Sequence, residues 1–293
     1  MLTIAISSRT LFDLHESHQI YLNQGLEAYR QYQLNHEEEP LGPGVAFALV
    51  KKLLDITHPK TTEPLVEVVL VSRNNGDTGL RIFNSIEHHN LNISRAVFSN
   101  GGSPYDYLPA LGVELFLSAH HADVIGAIDA GHAAAHLMTR PSTGLLDGQV
   151  RIAFDGDAVL FSDESEQIYQ AAGLEAFRKN EHSKRNEPLN PGPFSAFLKK
   201  LHDLQSVYPA GEAPIRTALV TARSAPSHKR VILTLREWGI RIDEALFLGG
   251  QDKAEFLKSF KADIFFEDQL TYVQSASEHT ATGHVPYGIT NKK

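Results

Sequence analysis

Short apolar runs alternate with longer amphipathic stretches throughout the chain. In the C-terminal half, Val150–Phe154 (VRIAF), Ile215–Val220 (IRTALV), Ala245–Leu248 and Asp263–Phe266 read as buried strands, and Gly283–Tyr287 as a fifth. Between them, Glu164–Lys179, Pro193–Leu204, Ser227–Trp238 and Asp252–Phe260 carry helical periodicity, and Gly239 stops the third of these. The N-terminal half has the same rhythm, with strands expected at Leu2–Ile6, Val66–Val71, Arg95–Phe98 and Val113–Leu117. Strands alternating with helices predict an α/β fold built on parallel, doubly wound sheet. Such sheets bind ligands beyond the carboxyl ends of their strands.

The shared rhythm is a duplication. Leu2–Asp55 aligns without a gap to Val150–Asp203 at a constant offset of 148, with 22 identities in 54 positions. EAYR, EPLGPG and KKLLD in the first copy face EAFR, EPLNPG and KKLHD in the second. Two halves follow, residues 1–148 and 149–293, joined through the Pro-, Gly- and Ser-containing stretch Thr139–Gly148. The long crossover between the first two strands of the second half predicts a helical cap over about residues 162–212.

Composition narrows the function classes. The chain of 293 residues has 42% hydrophobic and 21% charged residues, as a globular protein does. A net charge of −8 argues against a broad nucleic-acid footprint. With no cysteine there is no thiolate catalysis and no Cys-based metal site, and a reducing cytoplasm is compatible. The start MLTIAISSRTLF lacks the pattern of a secretory leader, and no apolar stretch is long enough to span a bilayer. A cytoplasmic location without membrane partners is expected. The pairs His88-His89 and His120-His121 lack the spacing of a zinc-binding helix.

Where the copies differ, they differ in charge. FDGDAV (Phe154–Val159) faces ISSRTL (Ile6–Leu11), so Ser7 and Arg9 stand where Asp155 and Asp157 stand. Two aspartates two residues apart, just past a strand and separated by Gly156, reach one cleft if the chain turns there. One carboxylate can attack phosphorus; the other can protonate the leaving oxygen and then activate water. Thr221, Lys253 and Asp268 follow at the ends of later strands or in the first turn beyond them. The hydroxyl suits a phosphoryl oxygen and the ammonium suits its charge. Asp155, Asp268 and a carbonyl near Asp157 make an oxygen-only metal set (Asp155, Asp157, Asp268) of the kind Mg²⁺ takes, with Glu267 as a further ligand or supporting group. At an offset of 149 the first half has Ser72 for Thr221, Pro104 for Lys253 and Ala119 for Asp268.

The order D-x-D, Thr, Lys, Glu-Asp on successive strands resembles the haloacid-dehalogenase-like phosphohydrolases. FDGDAVLFSDESE, ISSRTLFDLHES, LVTARSA, DEALFLGG, IFFEDQ and HVPYG are similar, more closely, to the cytosolic 5′-nucleotidase type I family, along essentially the whole chain. The resemblance implies two tandem haloacid-dehalogenase-like Rossmannoid halves with parallel sheets and helical cap insertions. It also implies Mg²⁺-dependent hydrolysis of nucleoside 5′-monophosphates, AMP in particular. Asp155 would be the nucleophile, Asp157 the acid/base, Thr221 and Lys253 the phosphoryl holders, and Asp268 a metal ligand. Glu267 stands where animal members tend to carry Asp.

Phe161, Ser162, Asp163 and Glu164 just after the motif are candidate substrate contacts, unless that segment only packs against the other half; Arg223 beside Thr221 is a candidate phosphate contact or a surface ion-pair residue. The first half is either a packing partner or a ligand site. Ser7, Arg9, Ser72, Arg73, Asn74, Asn75 and the turn Asn100–Pro104 should share one mouth, and Arg9 favours an anion. Family members are activated by ADP and are oligomeric, so the resemblance implies an ADP-like effector and self-association. The rival readings are a phosphatase of another small ester and a non-catalytic nucleotide sensor.

Overall fold

The computed structural model describes residues 1–138 and 148–292. The expected linker Thr139–Gly148 lies outside these but for its last residue. Ten strands form one sheet: β1 (Leu2–Ile6), β2 (Val66–Ser72), β3 (Ala96–Phe98), β4 (Leu115–Ser118), β5 (Ala134–Leu137), β6 (Val150–Phe154), β7 (Ile215–Thr221), β8 (Glu244–Phe247), β9 (Ile264–Glu267) and β10 (Ala281–His284). β1 is buried at every position and β6 at all but one, because helices cover both faces.

The strand order is β3-β2-β1-β4-β5-β10-β9-β6-β7-β8. Read outward from the centre, each half uses its strands in the same order. Pairing within each half is parallel. The expectation of separate parallel sheets is corrected at the middle, where β5 and β10 pair antiparallel through His136–His284 and Leu137–Gly283. These residues end their strands, so the carboxyl ends of the two half-sheets meet at the seam while running in opposite directions. Gly283 permits the approach: a Cβ there would lie 2.8 Å from Ala135 Cβ and 2.9 Å from the Phe266 ring.

The halves also exchange helices. The helix Phe47–Leu54 of the first half reaches β6, and its counterpart Ser195–Gln205 reaches β1. On this face one apolar cluster, including Ile4, Leu53 and Leu137 with Phe154, Phe197 and Phe266, runs through both halves. On the other face two separate clusters form, one around Phe116 and one around Phe265. Lys52 of the first half pairs with Asp263 of the second at 2.8 Å, both buried.

The crossover after β6 begins with the helix Glu164–Ser183, which is bent at Gly173 (φ 76°). In the first half the chain bends at the equivalent Gly25 (φ 86°), between His15–Gln24 and Leu26–Asn35. Only Ser165 and Glu181 are buried on Glu164–Ser183, so this helix stands over the sheet end as a cap. The next helix, Ser195–Gln205, buries Phe197, Leu198, Leu201 and Leu204 in the core. Within the range 162–212 expected for a cap, the first helix is thus largely exposed and the second packs into the core.

Candidate active site

β6 delivers Asp155 to the sheet end, where its backbone N–H donates to Phe266 O at 2.8 Å. The chain must then turn past β7. A Cβ on Gly156 would lie 3.2 Å from Thr221 Oγ1, so only glycine passes without displacing that hydroxyl. Ser8 holds the equivalent place in the first half and bonds Ser72 at 3.0 Å instead.

Asp155, Glu267 and Asp268 converge, each buried, with carboxylate oxygens within 4.8 Å of one another. Lys253 Nζ lies 2.7 Å from Asp155 Oδ1 and 2.6 Å from Glu267 Oε2, under the ring of Tyr272. The contact to Asp155 is an ion pair without hydrogen-bond alignment, so Asp155 Oδ1 is buried with no aligned donor. Three carboxylates and one ammonium leave the cluster rich in negative charge. Burial raises Asp155 to about 7; Lys253 pulls it down, and Glu267 and Asp157 push it up. Burial, then Glu267 and Asp155, also hold Asp268 well above the ordinary carboxylate range. Burial alone would lower Lys253, but the attraction of Asp155 and Glu267 wins and raises it. A surplus of buried, oxygen-only donors fits a hard divalent cation such as Mg²⁺.

Asp268 is fixed from the chain's last turns. Thr290 Oγ1 donates to Asp268 Oδ2 at 2.8 Å, and Asn291 Nδ2 to Asp268 O at 3.0 Å. His284 Nε2 lies 3.0 Å from the same carbonyl. The ring of His284 stacks on His121, which follows β4 of the other half. None of Thr290, Asn291 and His284 stood out in the sequence beyond the HVPYG tail.

Asp157 does not join the carboxylate cluster through its side chain. Arg223 grips both of its oxygens, at 2.7 and 2.6 Å, which leaves only the Asp157 backbone for a metal. Glu267 takes the third carboxylate place. Thr221 is buried and accepts from Arg223 N at 3.2 Å.

Two candidate substrate contacts are committed elsewhere. Phe161 is fully buried with its ring 5.5 Å from Trp238, a core packing role that closes it to a ligand in this conformation. Arg223 is likewise buried, between Asp157 and Glu181. Ser162 N donates to Asn190 O, and Ser162 Oγ accepts weakly from Glu164 N. Asp163 Oδ1 accepts from Gln167, while its buried Oδ2 has no partner.

In the first half, Ser7, Arg9, Ser72, Arg73, Asn74 and Asn75 all line one cavity of about 400 Å³, with Tyr21 and Tyr29 on its wall. Arg73 is taken by Asp123 and Gly101 O. Asn75 caps the helix Gly76–His88. Arg9 has no carboxylate partner among the described residues, and burial lowers its pKa. Asn74 Oδ1 accepts from Tyr29, but its buried Nδ2 finds no acceptor.

Comparison with known proteins gives a consistent picture. The 5′-nucleotidase family model matches residues 1–292. The chain is 40% identical over 287 residues to human cytosolic 5′-nucleotidase 1B, an alignment covering 94% of this chain and 47% of that protein. The chain thus spans about half the length of the curated relative it matches. No solved structure matches it. No helix of the described residues is long and apolar enough to cross a membrane.

Proposed function

Because this chain belongs to the 5′-nucleotidase family, we propose that it hydrolyses nucleoside 5′-monophosphates, AMP foremost, with Asp155 as the attacking carboxylate. The observation that carries this reading is the buried Asp155–Lys253–Glu267–Asp268 cluster at the ends of β6 and β9. Such a concentration of charge is costly unless it serves ligand or metal binding.

Asp155 attacks the phosphorus, and the nucleoside 5′-oxygen leaves with a proton supplied by Asp157. A water, deprotonated by Asp157, then attacks the aspartyl-phosphate; phosphate leaves and the Asp155 carboxylate is restored. Lys253 neutralises Asp155 and the phosphoryl oxygens, and Thr221 donates to one of them. Asp155, Asp268, the Asp157 backbone and, in a supporting place, Glu267 would hold Mg²⁺. When bound, the ion screens the charge that builds on the phosphoryl group. Ser162 and Asp163 remain the candidate contacts to the nucleoside. A cytosolic location belongs to the same reading, following the name of the human relative.

The test is phosphate release from nucleoside monophosphates and sugar phosphates, with Mg²⁺ or EDTA, using wild type and Asp155→Asn. Mg²⁺-dependent release from AMP that disappears in the variant supports the reading. Preferential release from a sugar phosphate moves the substrate to another ester. Nucleotide binding without turnover makes the protein a sensor.

The cavity of the first half favours a second role, as a site for an ADP-like effector. Its support is Arg9, without a carboxylate partner among the described residues, and the unpaired buried amide of Asn74 lining the same cavity. Arg9→Ala should remove any ADP response and spare basal turnover. Unchanged activation in that variant would place the effector elsewhere. Self-association, implied by the resemblance, is read by light scattering with and without ADP.

A further inference from the structure

Five charged side chains form a line from the cap to the catalytic loop. Asp157 is bound bidentately by Arg223. Arg223 Nη1 lies 2.5 Å from Glu181 Oε2, and Glu181 Oε1 accepts from Arg230 Nη1 at 3.0 Å. Arg230 Nη2 reaches Glu164 Oε1 at 2.6 Å. Glu164 and Glu181 sit on the two arms of the cap helix, either side of the Gly173 bend. Arg223 follows β7, and Arg230 lies on the helix His228–Glu237. Glu181 is fully buried, and Phe177 of the cap lies over the Arg223 guanidinium, 5.4 Å from its ring centroid.

The duplication separates framework from device. Arg81 in the first half corresponds to Arg230. It donates to Gln33 Oε1 at 3.0 Å, as Arg230 does to Glu181, and to Glu39 O, as Arg230 does to Glu187 O. Ser85 and Thr234 likewise cap Leu41 N and Leu189 N, each at 2.9 Å. The framework that seats the cap is thus the same in both halves. Three positions differ together: Asp157, Arg223 and Glu181 are Arg9, Asn74 and Gln33 in the first half. A half that lacks the attacking carboxylate also lacks the three members of the line nearest the acid/base position, while Glu16 and Arg81 keep the places of Glu164 and Arg230.

We propose that Arg223 and Glu181 are positioning residues that set the orientation of the Asp157 carboxylate according to the position of the cap. The inference rests on the hydrolase reading above. With both oxygens held by Arg223, Asp157 has none directed at a leaving group. Turnover requires one to be released, and Glu181 is the competing anion that draws the guanidinium toward the cap. Bending at Gly173 changes how Arg223 is shared and so couples cap closure to the acid/base carboxylate.

The experiment measures kcat and KM for AMP in Mg²⁺ for wild type, Glu181→Gln, Arg223→Lys, Asp157→Asn and the double variant Glu181→Gln/Asp157→Asn. Thermal melting accompanies each. Gln at 181 is what the first half already carries at 33 with its bond to Arg81 intact, so Glu181→Gln should fold. Glu181→Gln and Arg223→Lys are expected to lower kcat about tenfold or more with KM within about threefold, the signature of an interaction felt in the transition state. Glu181→Gln should cost little further in the Asp157→Asn background, because the two act as one unit. Wild-type kcat in folded Glu181→Gln overturns the inference, as does a change confined to KM or full additivity in the double variant. Those outcomes leave the hydrolase reading standing. A wild type inactive on every phosphate ester removes that reading and this inference with it.

Discussion

Thr290, in the last turn of the described chain, donates a 2.8 Å hydrogen bond to the carboxylate of Asp268 and so fixes an oxygen of the proposed metal site. Groups that orient a metal ligand commonly contribute ten- to hundredfold to metal affinity. Thr290→Val keeps the shape and removes the donor. The Mg²⁺ concentration for half-maximal activity should rise about tenfold while saturated turnover stays near wild type. Titration of activity with Mg²⁺ decides it; an unchanged midpoint would show that Asp268 is held without Thr290.

Lys253 is the cation between Asp155 and Glu267. Lys253→Met keeps the bulk and leaves three buried carboxylates facing one another. Turnover should fall about a hundredfold or more, on the scale of losing one electrostatic contact to the transition state. Breaking a buried pair from one side also costs about 3–5 kcal/mol. Urea unfolding in EDTA should show that loss, and Mg²⁺ should recover part of it. Equal stability of the variant and wild type in EDTA would refute this picture of the cluster.

The raised carboxylates make metal-free stability depend on pH. Asp155, lifted to about 7, and Asp268, also raised, bind more protons in the folded than in the unfolded protein. Their contribution is complete below the unfolded carboxylate pKa and is lost as pH climbs through the folded one. In EDTA the melting temperature should therefore fall between about pH 5 and pH 8, and the rise produced by Mg²⁺ should grow over the same span. Asp155→Asn should flatten the EDTA profile. A variant that keeps the wild-type slope would assign the linkage to other groups.

Gly192 marks a backbone crossing. A Cβ there would lie 2.3 Å from Phe161 O and 2.6 Å from Val159 O, and at the equivalent Gly44 it would lie 2.7 Å from Thr10 O. Both neighbours are main chain, so they yield only by moving the turn that follows Asp155. Gly192→Ala should destabilise by about 3 kcal/mol, the upper end of overpacking costs, and reduce turnover with it. Denaturant midpoints report the first; a midpoint within error of wild type would mean that the turn relaxes freely.

Strand runs were legible because both faces of the sheet are covered, which makes the strands short and almost wholly apolar. β5 escaped notice: half of Ala134–Leu137 is alanine, and its strand state comes from pairing with β4 on one side and β10 on the other, tertiary contacts outside any local window. The convergence of Asp155 and Asp268 follows from topology, since each lies just beyond a parallel strand; Thr221 closes β7, and Lys253 stands at the start of the helix that follows β8. Thr290 and Glu181 were not legible. One lies in a short polar tail and the other on a largely exposed helix, and neither carries a periodic or motif signal. Phe161 read as a ligand contact because it adjoins the motif, and Arg223 beside Thr221 as a phosphate contact or an ion-pair residue, but adjacency in sequence does not fix direction. Phe161 turns inward to Trp238 and Arg223 sideways to Asp157.

The antiparallel seam gives the chain the plan of a dimer. Two copies of one half, each ending in an open strand edge, would meet edge to edge about a twofold axis and produce the strand order found here. Joined in one polypeptide, the partners can no longer separate, and the vulnerable inner edge of each is permanently covered. That permanence freed one copy from having to be identical to the other. A symmetric pair must place the same residue at both of its sites, whereas this chain places Asp157 at one and Arg9 at the other.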